Sequence, residues 1–182
     1  MSRGLGDVYK RQVHNVPYKK DVEGNILYTD PAAEKLFTDR TDKEAYRLMM
    51  ETTLENVRTS DCFQTLGHLD YVVRYGKSRE KEYSYTDYAD IIDEILKLLI
   101  EKEKGLEVNS AGLKYGLPFA HPHPDVLKRY RELGGEIITI GTDAHTPEFV
   151  GMRARETQEL LKSCGLNYVC TFEKKKPVFH KI

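Results

Sequence analysis

The feature that most limits how this chain can fold is an alternation between helical and extended patterns of apolar residues. Residues 86–104 carry isoleucines and leucines at helical spacing, which predicts an amphipathic helix that Gly105 closes as its C′ glycine. The run at 106–109 is short and apolar and predicts a strand directly afterwards. Because such a helix buries one face, it requires a sheet or another helix to pack against.

The same alternation continues on both sides of this helix. Strands that alternate with amphipathic helices predict an α/β fold around a parallel sheet, either open or curled into a barrel. Two helices are expected to precede the first internal strand. Further helices are predicted at 30–37, 41–57, 124–133 and 153–163, and further strands at 63–66, 136–140 and 168–171.

Charge and cysteine content exclude several classes of protein. The chain has 28 Lys and Arg against 29 Asp and Glu, so no basic field predicts nucleic-acid binding. Its longest apolar run, 95–100, is interrupted by Lys97 and is far shorter than the about 20 residues of a membrane-spanning helix. Three cysteines without CxxC spacing predict free thiols in a reducing compartment, hence the cytoplasm. The expected partner is a small molecule, with no nucleic acid and no membrane.

Polar side chains follow three of the predicted strands. In parallel α/β folds, functional sites lie at the carboxyl ends of the strands, so this placement is a first indication of function. The polar residues in these positions are His68 and Asp70, Asn109 and Ser110, and Asp143 and His145.

The segment from Gly141 to His145 places a carboxylate and an imidazole two residues apart after an apolar strand. In an extended chain Asp143 and His145 project to the same side, so both could reach one cation. The alternative is an aspartate that binds a neighbouring backbone amide in a loop. His68, taken alone, is equally explained as a loop histidine, and residues 13–15 could end a further strand that presents His14.

A second pair of histidines, His121 and His123, has tempting spacing for a metal site. Both stand in a proline-rich loop that starts a predicted helix. We therefore interpret them as surface residues at a helix start. The sequence also contains no P-loop, no GxGxxG turn and no GxSxG elbow, so it offers no glycine-rich phosphate cradle.

Four segments, taken in order, resemble the later motifs of histidinol phosphatases of the PHP (polymerase and histidinol phosphatase) family. They are VHNV at 13–16, LGHLDYVVRYG at 66–76, LEVNSAGL at 106–113 and GGEIITIGTDAH at 134–145. The resemblance implies a distorted (β/α)7 barrel with three divalent ions at the carboxyl ends of its strands. It further implies hydrolysis of L-histidinol phosphate to L-histidinol and phosphate, in histidine biosynthesis.

By this resemblance, His14, His68, Asp143 and His145 match metal ligands, and Asp143 and His145 also match catalytic residues. Clustered divalent ions suit phosphate-ester hydrolysis because they neutralise the phosphate and lower the pKa of a bound water. Mixed histidine and carboxylate ligands favour zinc, iron or manganese over magnesium alone.

Arg74 resembles the phosphate-contacting arginine of the family, since a guanidinium fork matches phosphate oxygens. The alternative is a surface ion pair. Asn109, Ser110 and Lys114 are expected to shape the substrate pocket, with strand-end capping as the competing explanation. Lys114 stands where an arginine is common in relatives.

The chain also departs from the family. Relatives carry an HxH pair, another histidine and a bridging glutamate upstream of the residue that matches His14, and this sequence has none of them. We therefore expect 1–12 to be a non-native or spurious segment and 13–182 to be the C-terminal part of a single PHP barrel, incomplete at its N-terminal strands. Two alternatives stay open: a PHP phosphoesterase for another phosphorylated small molecule or nucleotide, and a catalytically incomplete PHP module that binds a partner.

Overall fold

The core of the fold is a parallel sheet, seen in a computed structural model that describes residues 10–182. The strands are β1 (Lys10–Arg11), β2 (Val16–Lys20), β3 (Ile26–Thr29), β4 (Thr65–Leu66), β5 (Gly105–Asn109), β6 (Ile138–Gly141), β7 (Tyr168–Glu173) and β8 (Lys176–Lys181). The α-helices are α1 (Asp42–Thr59), α2 (Ala89–Glu101), α3 (Ala111–Lys114), α4 (Pro124–Glu132) and α5 (Ala154–Ser163).

Four strands form the parallel sheet in the order β1, β4, β5, β6. Leu106 in β5 is in register with Leu66 in β4 on one side and with Ile138 in β6 on the other. The predicted α/β class with a parallel sheet is therefore confirmed. Over residues 10–182 this sheet is open, and its central strand β5 is buried along its whole length.

The expected non-native segment at 1–12 lies mostly outside the described residues. Residues 1–9 belong to that part of the chain, whereas Lys10 and Arg11 form β1 and pair in parallel with Thr65 and Leu66. The last residues of the segment are thus integrated into the sheet.

Two antiparallel hairpins accompany the sheet, and neither is predicted from the sequence. The β2–β3 hairpin precedes the two helical segments that are expected before the first internal strand. The strand predicted at 168–171 exists as β7, but it pairs with β8. Strands β3 and β8 expose much of their surface, so the burial pattern of a core strand is absent from their sequences, whereas β7 alternates between buried and exposed residues.

Helix α1 begins where the capping box predicts. Glu44 N–H donates to Thr41 Oγ1 over 3.3 Å, and Thr41 N–H donates to Glu44 Oε2 over 2.8 Å. This reciprocal pair satisfies amides that have no partner within the helix. The region predicted as a single helix at 30–37 is instead two 3-10 turns, Pro31–Ala33 and Lys35–Phe37, because Glu34 between them has a φ of 58°.

Helix α2 buries the apolar face that its spacing predicts, but its end differs from the prediction. The left-handed residue after the helix is Glu103, with a φ of 54°. Gly105 is instead the first residue of β5, where a Cβ would lie 2.8 Å from Ile137 Cγ2. Glycine is required there for close approach of two strands.

The remaining predictions on helices and cysteines can be compared directly. Helix α4 begins at Pro124 and is followed by Gly134 with a φ of 93°, as expected of a glycine after a helix. Cys62, Cys164 and Cys170 are all free. No helix within residues 10–182 has the length and apolar character needed to cross a membrane.

The packing of α2 gives a stability prediction. Ile95 is fully buried in the main core, so Ile95→Ala is expected to lower the free energy of unfolding by about 2–5 kcal/mol through lost apolar contacts and a residual cavity. Urea denaturation measures this change. Lys97→Ala, on the exposed face of the same helix, is the matched control and is expected to change it by less than about 0.5 kcal/mol. Equal losses in the two variants would contradict the described packing.

Candidate metal and phosphate site

The carboxyl ends of β4, β5 and β6 lie along one edge of the sheet and carry the candidate site. His68 comes two residues after β4, Asn109 ends β5, and Asp143 comes two residues after β6. Because the strands are parallel and adjacent, their ends bring together side chains that are far apart in sequence. This is the placement that the pattern of polar residues predicts.

Three of the four predicted metal ligands are neighbours at this edge. The Nε2 atoms of His14 and His68 lie 3.4 Å apart, with their rings stacked at a centroid distance of 5.3 Å. His68 Nε2 lies 3.6 Å from Asp143 Oδ2. The structure therefore gathers two imidazoles and one carboxylate from three separate parts of the chain.

The charge states of these groups follow from their surroundings. Burial lowers the pKa of His68 to about 3, so its imidazole is neutral near pH 7. Burial opposes ionisation of Asp143, but the charge of Lys10 and hydrogen bonds from Lys10 and Asn109 outweigh it and hold the pKa of this carboxyl below its usual value. A neutral imidazole and an ionised carboxylate are the forms in which these side chains bind metal ions.

Both strand-end residues adopt an unusual backbone conformation. His68 has a φ of 26° and Asp143 has a φ of 44°, in the region that residues other than glycine rarely occupy. The His68 N–H donates to Glu107 Oε2 over 3.2 Å, which helps to fix this turn. Strained residues of this kind persist where the surrounding structure holds them, and they are common at functional sites.

A lysine ammonium already lies among the carboxylates. Lys10 Nζ is 2.6 Å from Glu107 Oε1 and 3.0 Å from Asp143 Oδ1, and Gln12 Nε2 is 2.9 Å from His68 Nε2. Glu107 is nearly buried, with 5% of its side chain exposed, so its charge requires a cation nearby.

The Lys10 ammonium thus compensates the negative charge of Glu107 and Asp143 at this edge of the sheet. The donor types present, imidazole and carboxylate, fit a divalent transition metal. They supply only part of a ligand set, because residues 10–182 contain no group of three or more His, Cys, Asp or Glu side chains placed to hold a metal ion.

His145 does not join the other predicted ligands. It is exposed, because the left-handed backbone at Asp143 interrupts the extended geometry that would direct both side chains to the same side. The expectation that positions 143 and 145 project together is therefore wrong for this conformation.

Within residues 10–182, Arg74 is held by aromatic rings and not by a surface ion pair. Its guanidinium carbon lies 5.3, 4.7 and 4.3 Å from the ring centroids of Tyr71, Tyr75 and Tyr115. Nη2 donates to the Tyr75 hydroxyl over 2.6 Å. Within the described part of the chain, Nε has no hydrogen-bond partner. The stack fixes the plane of the guanidinium and leaves its charge available to an anion.

The other predicted substrate contacts have structural partners. Asn109 Nδ2 donates to Glu107 Oε2 over 3.0 Å, and Ser110 Oγ donates to the Met152 carbonyl over 2.9 Å. Lys114 Nζ lies 3.6 Å from the centroid of the Phe149 ring. Asn109 also accepts the Ala111 N–H, which matches the capping alternative.

The interpretation of His121 as a surface residue is wrong. His121 is fully buried, and its Nδ1 lies 2.7 Å from Asp70 Oδ1. The physical reason is that its backbone pairs with Asn109 at the end of β5, which draws the loop into the core. For His123 the helix-start interpretation is confirmed, since its Nδ1 accepts the Asp125 N–H at the start of α4.

Several residues of the site have no assignment from sequence reasoning. Glu107 is the clearest, and a carboxylate in the middle of a predicted buried strand is the signal that could have found it. Lys10 and Gln12 fall in the segment expected to be non-native. Asp70 is singled out by its position after β4, but its partner His121 lies 51 residues away, which no local pattern shows.

Comparison with known proteins identifies one family model. The PHP domain model matches residues 12–111, which is more than half of the chain. This range includes β4, β5 and the residues His14, His68 and Asn109.

Individual relatives point the same way. A probable histidinol-phosphatase of Clostridium acetobutylicum is 29% identical over 178 residues, covering 94% of this chain and 69% of the relative. A probable histidinol-phosphatase of Thermotoga maritima is 39% identical over 116 residues, covering 62% of this chain and 46% of the relative.

Solved structures share the fold. Histidinol phosphate phosphatase of Lactococcus lactis, complexed with zinc, L-histidinol and phosphate, matches with a TM-score of 0.72 and 27% identity over 94% of this chain and 62% of its own. A putative histidinol phosphatase of Listeria monocytogenes matches with a TM-score of 0.67 and 16% identity, covering 81% of this chain and 56% of its own, and supports the fold alone. The chain thus spans about half to seven-tenths of the length of these relatives.

The position of Lys10 gives a prediction about metal binding. Lys10→Met removes the ammonium but keeps an apolar stem, so Glu107 and Asp143 lose their internal cation. The affinity for Zn²⁺ is expected to rise roughly tenfold, equivalent to about 1.4 kcal/mol. Isothermal titration calorimetry with zinc chloride measures the change.

Lys43→Met is the control for this measurement, because it removes an exposed lysine that pairs with Asp87. Its affinity for Zn²⁺ should equal that of the unmodified chain. Unchanged or weaker binding in Lys10→Met would show that the ammonium does not compete with the metal.

Proposed function

This chain belongs to the PHP domain family, and from that membership we propose that the protein hydrolyses L-histidinol phosphate to L-histidinol and phosphate. The reaction class is phosphoric monoester hydrolysis. The relatives named above as histidinol phosphatases, and the one among them that binds zinc, L-histidinol and phosphate, support this proposal. Its setting is histidine biosynthesis, and its proposed location is the cytoplasm.

The observation that carries the proposal is the convergence of His14, His68 and Asp143 at the carboxyl ends of the sheet, around a position that attracts a cation. Imidazole and carboxylate donors beside a held arginine are the groups that a metal-assisted phosphatase requires.

The proposed cofactors are divalent metal ions, zinc, iron or manganese, in a trinuclear site in the full-length protein. His14, His68, Asp143 and His145 would hold part of this set, with Asp143 and His145 in catalytic roles. Bound ions of this kind neutralise phosphate charge and acidify a bound water.

The other residues of the chain bind and orient the phosphate ester. The guanidinium of Arg74, fixed by its tyrosines, would pair with phosphate oxygens, and Lys114 would add a second positive charge. Asn109 and Ser110 are proposed to shape the pocket beside them. The proposed partner is this small phosphate ester, with no nucleic acid and no membrane.

The domain boundaries remain a proposal as well. We propose that residues 13–182 form the C-terminal part of one PHP barrel and that residues 1–12 are not native to it. The greater length of the relatives supports the first part of this proposal, whereas the pairing of Lys10 and Arg11 in β1 and the start of the family match at residue 12 stand against the second part.

A second candidate function is favoured by one observation. Residues 10–182 hold no complete group of metal-binding side chains, which suits a catalytically incomplete PHP module with a structural or partner-binding role. A PHP phosphoesterase that acts on another phosphorylated small molecule or nucleotide is the remaining alternative within the hydrolases.

Substrate preference tests the leading proposal. The chain, supplied with Zn²⁺ or Mn²⁺, should release phosphate from L-histidinol phosphate with a kcat/KM at least about tenfold above that for p-nitrophenyl phosphate, because the polar strand-end residues would contact the histidinol moiety. Asp143→Asn should abolish both activities together with metal content. Equal rates on the two esters would favour a general phosphoesterase, and no release from either would favour the incomplete module.

The role of Arg74 gives a separate prediction. Arg74→Lys keeps the charge but loses the planar fork, so the KM for L-histidinol phosphate is expected to rise about tenfold while metal content, measured by elemental analysis, stays unchanged. Arg47→Lys is the control, since Arg47 pairs with Asp90 on the exposed faces of α1 and α2. A loss of metal in Arg74→Lys would show that this arginine supports the metal centre and does not bind the substrate.

A further inference from the structure

Asp70 is a buried carboxylate without an assigned role in the fold or in the proposed reaction. It is 0% exposed and lies two residues after His68. It accepts hydrogen bonds from three donors: the Tyr83 hydroxyl at 3.0 Å, the His121 ring at 2.7 Å and the His123 N–H at 2.8 Å. Three donors compensate the burial of one negative charge, so Asp70 is firmly anchored.

His121 connects Asp70 to the carboxyl end of β5. Its backbone N–H donates to the Asn109 carbonyl over 2.9 Å, and the Asn109 N–H donates to the His121 carbonyl over 2.7 Å. Its ring is fully buried, and within the described residues its Nε2 has no hydrogen-bond partner. The Asp70–His121 pair therefore ties the loop after β4 to the end of β5.

His68 is held from two sides, by Glu107 and by the chain at Asp70. Its φ of 26° is costly for a residue with a side chain and has to be held by its surroundings. On one side, Glu107 accepts the His68 N–H over 3.2 Å. On the other side, the chain is held two residues later by Asp70.

We propose that Asp70 and His121 are positioning residues for His68: their buried hydrogen-bonded pair keeps the His68 backbone in its left-handed turn and so directs the imidazole towards Asp143. This inference rests on the proposed function only in taking His68 as a metal ligand. Loss of the pair would let the turn relax to an ordinary conformation and withdraw the imidazole from the site.

The structure offers a matched control for this role. Asp93 is likewise a carboxylate that several donors hold, but it is only partly buried. It accepts from the Tyr85 hydroxyl and from the guanidinium of Arg129, and it links α2 to α4. It has no contact with His68. Asp93→Asn should therefore reproduce a general loss of stability without an effect on the site.

Amide hydrogen exchange tests the inference without any metal. In Asp70→Asn, the His68 N–H is expected to exchange at least about tenfold faster than in the unmodified chain, relative to the Ile95 N–H in the core helix. In Asp93→Asn, the ratio of the His68 exchange rate to the Ile95 exchange rate should stay within twofold of its value in the unmodified chain. The same is expected of Tyr83→Phe, which removes one donor but keeps the Asp70–His121 pair. Equal ratios in Asp70→Asn and Asp93→Asn would overturn the inference and leave Asp70 as an ordinary core carboxylate.

Zinc titration separates this inference from the proposed function. Asp70→Asn is expected to weaken Zn²⁺ binding at least about tenfold, as is typical when a group supporting a metal ligand is lost. His68→Ala should weaken it at least as much. If His68→Ala leaves zinc affinity unchanged, the ligand assignment fails, whereas weaker binding in His68→Ala with unchanged binding in Asp70→Asn overturns only the positioning role.

Discussion

The arrangement of this site depends on one buried carboxylate in the central strand. Every residue of β5 is buried, and Glu107 lies in its middle. Its oxygens accept from the Lys10 ammonium, the His68 amide and the Asn109 side chain, which belong to β1, the loop after β4 and the end of β5 itself. Because a buried carboxylate is costly without partners, its need for donors fixes the relative positions of three strand ends.

Much of the fold is encoded in local patterns, and the exceptions have physical causes. The capping box of Thr41 and Glu44 and the apolar face of α2 follow directly from sequence spacing. Gly105 is misassigned because a glycine after a helix and a glycine at a close strand contact are identical in sequence, and only the neighbouring Ile137 distinguishes them. Strands β3 and β8 leave many side chains in solvent, so they lack the apolar alternation that reveals a core strand, whereas β7 alternates and is predicted.

The candidate site is predictable in its location but less so in its details. The polar residues after β4, β5 and β6 mark the edge of the sheet where His68 and Asp143 meet. The resemblance to a known family selects His68, Asp143 and His145 from them and adds His14. Sequence reasoning cannot show that Asp143 adopts a left-handed backbone and leaves His145 exposed. It also places His121 on the surface, since the pairing of its backbone with Asn109 arises from tertiary structure.

The parallel connectivity of the sheet has a consequence for how the protein folds. The hairpins β2–β3 and β7–β8 join neighbouring segments and close short loops, so they form early. The pairing of Leu66 with Leu106 and of Leu106 with Ile138 requires distant segments to meet first. The cluster around His68 and Asp143 draws on both of these pairings and on residues near position 10. Its assembly is therefore expected to come late in folding, and a mutation that slows closure of the sheet is expected to delay the appearance of the site more than that of the hairpins.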